Sequence, residues 1–180
     1  SGLTGSFDLD VPDAEELFGV VAGTSLKGRV EALSQPLQFS GNLQLNDDSL
    51  ELSALDLQLG ETAIRGRLSA PLDLRGVIQA DFTADHINID PYVPFLSTED
   101  GRQSPSLDLN VDVNVQSGSV EYRGVVIDKP QLQASIRQDA ITVSRFRAGD
   151  PQGGEINVTG MVREFSSAPR FDLRLGAEQI

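Results

Sequence analysis

The chain has 180 residues, 39% of them hydrophobic and 23% charged, which is the balance of folded material and excludes a disordered chain. Its net charge of −13, with 14 Lys and Arg scattered among 27 Asp and Glu, argues against a nucleic-acid partner and against docking onto an anionic membrane surface. There is no cysteine, so neither a disulfide framework nor a thiolate metal site is available, and stability must come from packing and ladder hydrogen bonds. The longest uncharged apolar stretch, residues 17–22, is far short of the roughly twenty residues that span a bilayer as a helix.

Residues 7–11, FDLDV, alternate apolar and acidic side chains with a period of two, which predicts a strand that Pro12 closes. Asp13 then offers an N-cap, with Glu16 three residues on. Leu17, Phe18, Val20 and Val21 follow at mixed helical spacing and Gly23 serves as a C-cap, so one short helix is expected near residues 13–22. Strands are expected over 26–33, 37–45, 49–53, 55–59, 62–70 and 72–89, with turns at Gln35-Pro36, Asn46-Asp47-Asp48 and Gly60-Glu61. The apolar phase slips at Ala54, from the even positions Leu50 and Leu52 to the odd positions Leu55, Leu57 and Leu59, which predicts a bulge or corner. Asp90 and Pro91 predict one helical turn, with Tyr92, Phe95 and Leu96 as an apolar plug. Residues 97–105 are polar and punctuated and hold the best boundary in the chain. It separates a first unit, 1–98, from a second, 106–180, across a linker at 99–105. Strands resume over 107–116, 119–127, 131–137, 140–147, 155–162 and 171–175, and residues 150–154 make the last conspicuous turn.

The two units read as imperfect copies. SLELSALDLQLGETAIRGRLS, residues 49–69, is matched loosely by QDAITVSRFRAGDPQGGEINVTGMV, residues 138–162. Leu50 aligns with Ile141 and Leu52 with Val143; after a short insertion near residues 150–153, Ile64 aligns with Val158 and Gly66 with Gly160. Each copy is expected to be two short strands around a Gly-containing turn. The strand that follows opens on proline in both copies, and in the second it has scarcely ended at Ile180. The chain is therefore read as a fragment of a longer repetitive protein, with the second repeat truncated.

About a dozen amphipathic strands need a cover for their apolar face, and one short helix cannot supply it. Closing the sheet into a sandwich or barrel would cover it, whereas rolling it into a groove would leave the lining partly open to a hydrophobic ligand. An uncovered lining is unfavourable by about 25 cal/mol per Å², so an acyl chain laid along it would gain several kcal/mol. The lining candidates in the first unit are Phe39, Leu43, Leu50, Leu52, Leu55, Leu57, Leu59, Ile64, Leu68, Ile78 and Phe82. In the second they are Leu107, Leu109, Val111, Val113 and Val115, in the purest alternation of the chain, with Ile141, Val143 and Val158. Aromatic residues make up 6% and tryptophan is absent. Sugar-binding platforms stack rings on aromatic faces, so this composition favours lipid chains over glycans. A structural or chaperone-like module whose free edge strands pair with other β proteins is the second reading, and an extracellular β-rich adhesin or carbohydrate-binding module the third.

The succession FDLDVPDAEELFGVV, PLQFSGNLQLNDDSLELSALDLQLGETAIRGRLSA and FTADHINIDPYVPFL resembles the AsmA family of bacterial envelope proteins. VEYRGVVIDKPQLQASIRQDAITVSRFRAGDPQGGEINVTGMV is similar to the C-terminal portion of that family, where glycine-punctuated strands recur. These runs are aliphatic and glycine patterns, and their order carries the likeness. The resemblance implies an inner-membrane anchor upstream and a periplasmic body of long β-sheet with a hydrophobic groove. It also implies a role in outer-membrane assembly, by carriage of phospholipid between the two membranes of a Gram-negative envelope. The expected fold is all-β: a large twisted antiparallel sheet curled into a hydrophobic groove (a β-taco), in two imperfect repeats with one short helix and a helical turn. The expected partners are phospholipid acyl chains and, second, outer-membrane assembly proteins.

Catalytic and metal chemistry find little support. His86, the one histidine, follows Asp85 inside an expected strand and reads as a solvent-facing side chain. Asp47-Asp48, Glu99-Asp100 and the pair Asp8 and Asp10 lack the spacing of a calcium loop or an acid/base pair and read as solvated charges. Gly66-Arg67 and Gly76 precede no helix N-terminus that would cradle phosphate, and no nucleophile elbow occurs. Arg65, Arg67, Arg145 and Arg147 either meet lipid phosphates at a groove rim or, the favoured reading, face solvent as ordinary strand charges. The chain is thus expected to bind rather than catalyse, with no cofactor and no metal.

Overall fold

The computed structural model describes residues 2–14, 35–73, 76–90, 110–138, 140–149, 153–164 and 170–179. In these residues ten strands form one sheet. The first meander holds β1 (Leu3–Val11), β2 (Leu37–Leu45), β3 (Ser49–Leu59), β4 (Thr62–Pro71) and β5 (Val77–Asn88). The second holds β6 (Asn110–Tyr122), β7 (Val125–Arg137), β8 (Ala140–Gly149), β9 (Gly154–Arg163) and β10 (Arg170–Gln179). Strand order across the sheet follows the chain from β1 to β10, and neither end pairs with the other, so the sheet is open. Apolar and polar side chains alternate in nearly every strand, the pattern of a pleated ribbon with one dry and one wet face.

The expectation of a wholly antiparallel sheet is corrected at the centre. β5 and β6 run parallel, from Val77 beside Asn110 to Asn88 beside Glu121. Short hairpins force antiparallel neighbours, but residues 89–109 are long enough for the crossover of a dozen or more residues that a parallel pair requires. Two five-stranded antiparallel meanders therefore meet at one parallel ladder.

Four of the expected strand boundaries also move. The single strand expected over 119–127 is divided by the turn Arg123-Gly124, whose φ angles of 49° and 74° are the paired positive values of a tight hairpin turn. Arg-Gly is a weak turn signal beside Asn-Gly, so the local sequence hid it. Upstream, no break separates Gln116 from Ser119, and β6 runs through both. Pro130, expected between strands, is buried within β7 beside Lys129 at φ 45°, where the register with β8 shifts between Asp128 and Gln131. A bulge is where a strand tolerates the missing N–H of proline. The strand expected from residue 72 begins only at Val77, because Leu72 and Asp73 turn.

The phase slip at Ala54 is a bulge in a continuous strand. β3 carries Ala54 at φ 48°, and its register shifts against β2 between Ser40 and Asn42 and against β4 between Leu52 and Leu55. One extra residue there returns Leu55, Leu57 and Leu59 to the face of Leu50 and Leu52. A third bulge, after those at Lys129 and Ala54, lies between Val143 and Phe146, opposite β9. The helix expected near 13–22 lies, beyond Asp13 and Ala14, outside the described residues. So do the strand over 26–33, the linker at 99–105 and the turn that follows Asp90.

Among the described strands, appreciable contact is confined to neighbours in the sheet. The accessible surface is 12264 Å², against roughly 8,500 Å² for a compact chain of 19.3 kDa.

Candidate functional site

Register turns the alternation of single strands into one apolar face. A complete row crosses all ten strands: Gly5, Leu43, Leu52, Leu68, Ala80, Val113, Ala134, Val143, Gly160 and Leu173. The next row runs Leu55, Gly66, Phe82, Val115, Leu132, Phe146, Val158 and Leu175. On the other side of the first lie Ile78, Val111, Ile136, Ile141, Val162 and Phe171. Phe39, Leu57 and Ile64 occupy a further row, and Leu50 and Leu59 flank their own strand on the same face. Of the nineteen lining candidates read from the sequence, Leu107 and Leu109 lie outside the described residues. The other seventeen share this face, with Leu55 and Leu59 buried and the rest half-buried.

The face is wider than the candidates. Leu132, Ile136, Phe146, Phe171, Leu173 and Leu175 join it, and period two in QLQASIR and RFDLRL is the signal that marks most of them. At the sheet's flanks the face is open. Leu3 is 61% exposed on β1, and Phe171 and Leu175 are 67% and 74% exposed on β10. Phe7 and Phe39, also on this face, pack with ring centroids 5.0 Å apart.

The opposite face is polar over most of its width and turns apolar at one end, where Ile87, Val120 and Ile127 lie side by side. One row reads Asp8, Ser40, Asp56, Arg65, Thr83, Gln116, Gln131, Arg147 and Asn157. Its arginines pair with carboxylates on neighbouring strands rather than rim the apolar lining. Arg65 Nε lies 3.3 Å from Asp56, Arg67 Nε 2.8 Å from Asp81, and Arg147 Nε 2.6 Å from Glu155. Arg145 is exposed. Two depressions have mixed linings: one of about 340 Å³ with Gln79, Asp112 and Gln133 beside Ala80, Val113 and Ala134, and one of about 580 Å³ with Asp8, Asp10 and Gln38 beside Phe39. Among the described residues no three His, Asp or Glu side chains are placed to hold a metal ion.

Two carboxyls are perturbed by this network. The Arg67 guanidinium, then the Asn114 amide, hydrogen-bond Asp81 and hold it below its ordinary 3.8. Arg147 and Asn157 hold Glu155 below 4.5 in the same way. A carboxyl lowered in the folded state contributes stability that is present above its unfolded value and is lost as pH falls through the folded one. The urea midpoint is accordingly expected to fall between about pH 5 and pH 2. Asp81→Asn should flatten part of that slope; an unchanged slope would remove Asp81 from the account.

No protein-family model, curated protein or solved structure matches the chain. The apolar face itself thus carries the functional reading.

Proposed function

We propose that the protein binds acyl chains along the apolar face of its sheet, without catalysis. The observation that supports this most is the single apolar face that runs through all ten strands of an open sheet and is exposed at both flanks, at Leu3 and at Phe171 and Leu175. Monomeric proteins rarely leave contiguous apolar patches beyond a few hundred Å² without a use for them. At about 25 cal/mol per Å², a chain covering part of such a patch gains several kcal/mol. Bulges at Ala54, at Lys129 and between Val143 and Phe146 favour a lining that bends into a groove, because each adds local twist. The bulges of β3 and β8 fall at positions that align between the two sequence copies, which supports reading the meanders as repeats of one unit.

The resemblance to the AsmA family extends the reading to a periplasmic protein, anchored in the inner membrane, that carries phospholipid toward the outer membrane. A second reading rests on β10, whose outer edge from Arg170 to Gln179 has no strand beside it among the described residues. On that reading the module pairs with other β proteins during outer-membrane assembly.

Native mass spectrometry after incubation with mixed phospholipids separates the two. Stoichiometric lipid on the folded parent is the expected result. A monodisperse, folded protein that carries no lipid would contradict acyl-chain binding and leave edge pairing in its place.

A further inference from the structure

The apolar face has a polar end. Along the parallel ladder, Ile78 sits beside Val111, Ala80 beside Val113 and Phe82 beside Val115; Ala84 then sits beside Ser117 and His86 beside Ser119. Neither strand contains a positive φ, so alternation carries His86 and Ser119 onto the face of Phe82 and Val115. Their side chains converge. His86 Nδ1 lies 2.8 Å from Ser119 Oγ, and its Nε2 lies 3.8 Å from Glu121 Oε2. The imidazole is 50% exposed, so the group is open to a ligand. The sequence suggested a histidine without partners, and the neighbouring parallel strand supplies two.

We infer that this end is a head-group site for a zwitterionic phospholipid, one whose phosphate lies beside a primary ammonium; the inference rests on the acyl-chain reading of the face. The imidazole and the Ser119 hydroxyl offer donors to phosphate oxygens, and the Glu121 carboxylate accepts from the ammonium. The same carboxylate repels a head group that is only anionic. The dimensions agree: from Ile78 to Ala84 the strand covers about 20 Å at roughly 3.3 Å per residue, and one leaflet's acyl chain needs about 15 Å, half the hydrocarbon core. Ala84 and Ser117, both small, separate Phe82 from His86 along the ladder, where the ester-linked glycerol would lie. Acyl transfer at Ser119 does not follow. Ser119 and Val120 are paired on both sides, with His86 and Ile87 of β5 and with Asp128 and Ile127 of β7, so they offer no oxyanion hole.

The test compares phosphatidylethanolamine, phosphatidylglycerol and oleate binding to the parent, His86→Ala, Glu121→Gln and Val113→Asp, each checked for fold by circular dichroism. The parent is expected to prefer phosphatidylethanolamine over phosphatidylglycerol by about tenfold, the worth of one charge-assisted contact. Glu121→Gln should abolish that preference, whereas Val113→Asp should weaken all three ligands. Equal binding of both phospholipids by the parent, or an undiminished preference in Glu121→Gln, overturns the head-group site while leaving acyl-chain binding intact. A folded parent that binds none of the three overturns both.

Discussion

Replacing Gly66 by valine is expected to destabilise the sheet by about 3 kcal/mol or more, the cost of overpacking that only the backbone can relieve. Gly66 lies in β4 between Leu55 of β3 and Phe82 of β5. A Cβ there would land on the Asp81 carbonyl oxygen and come within 2.6 Å of Phe82 Cδ1. A ring can swing aside, but the Asp81 carbonyl belongs to the β5 backbone, so the β4–β5 ladder must part. Gly160 repeats the situation in β9, where a Cβ would fall on the Asp172 carbonyl and 2.8 Å from Leu173 Cα at a φ of 146°. Gly5→Ala serves as the control, since nothing lies within 4 Å of the added methyl. Urea unfolding followed by far-ultraviolet circular dichroism measures all three; a Gly66→Val midpoint equal to that of the parent would refute the close approach.

The second large effect concerns binding. Leu57→Lys should weaken acyl-chain binding at least about tenfold, because burying two fewer methylene equivalents at ~0.8 kcal/mol each already accounts for that factor. Gln58→Lys, one residue along on the polar face, should leave affinity unchanged. Both positions are half-buried in the same strand, so the contrast tests the face and not the strand. Equal losses from the two variants would mean that the apolar face is not where the chain lies.

Much of this face is legible in the sequence because period-two alternation is a local property. LDLNVDVNVQ announces its dry and wet sides without help from any neighbour, and the phase slip at Ala54 predicts a bulge because only an extra residue keeps five leucines on one side. What the sequence hides is non-local. The parallel pairing of β5 with β6 depends on where a long crossover returns the chain, and no residue of either strand encodes direction. The turn at Arg123-Gly124 escapes notice because arginine there takes a left-handed conformation more often filled by asparagine or glycine. His86 seems alone in the sequence because Ser119 and Glu121, thirty-odd residues on, reach it only through the parallel ladder. The same ladder brings Asn114 to Asp81, which Arg67 reaches from β4.

The absence of native cysteine makes one measurement especially direct. Single cysteines placed in turn at residues 111 to 116 of β6, each carrying a nitroxide, report side-chain mobility before and after addition of phospholipid. The account predicts immobilisation at Val111→Cys, Val113→Cys and Val115→Cys and little change at Asp112→Cys, Asn114→Cys and Gln116→Cys. A uniform response, or one confined to the even positions, would contradict an acyl chain on the apolar face.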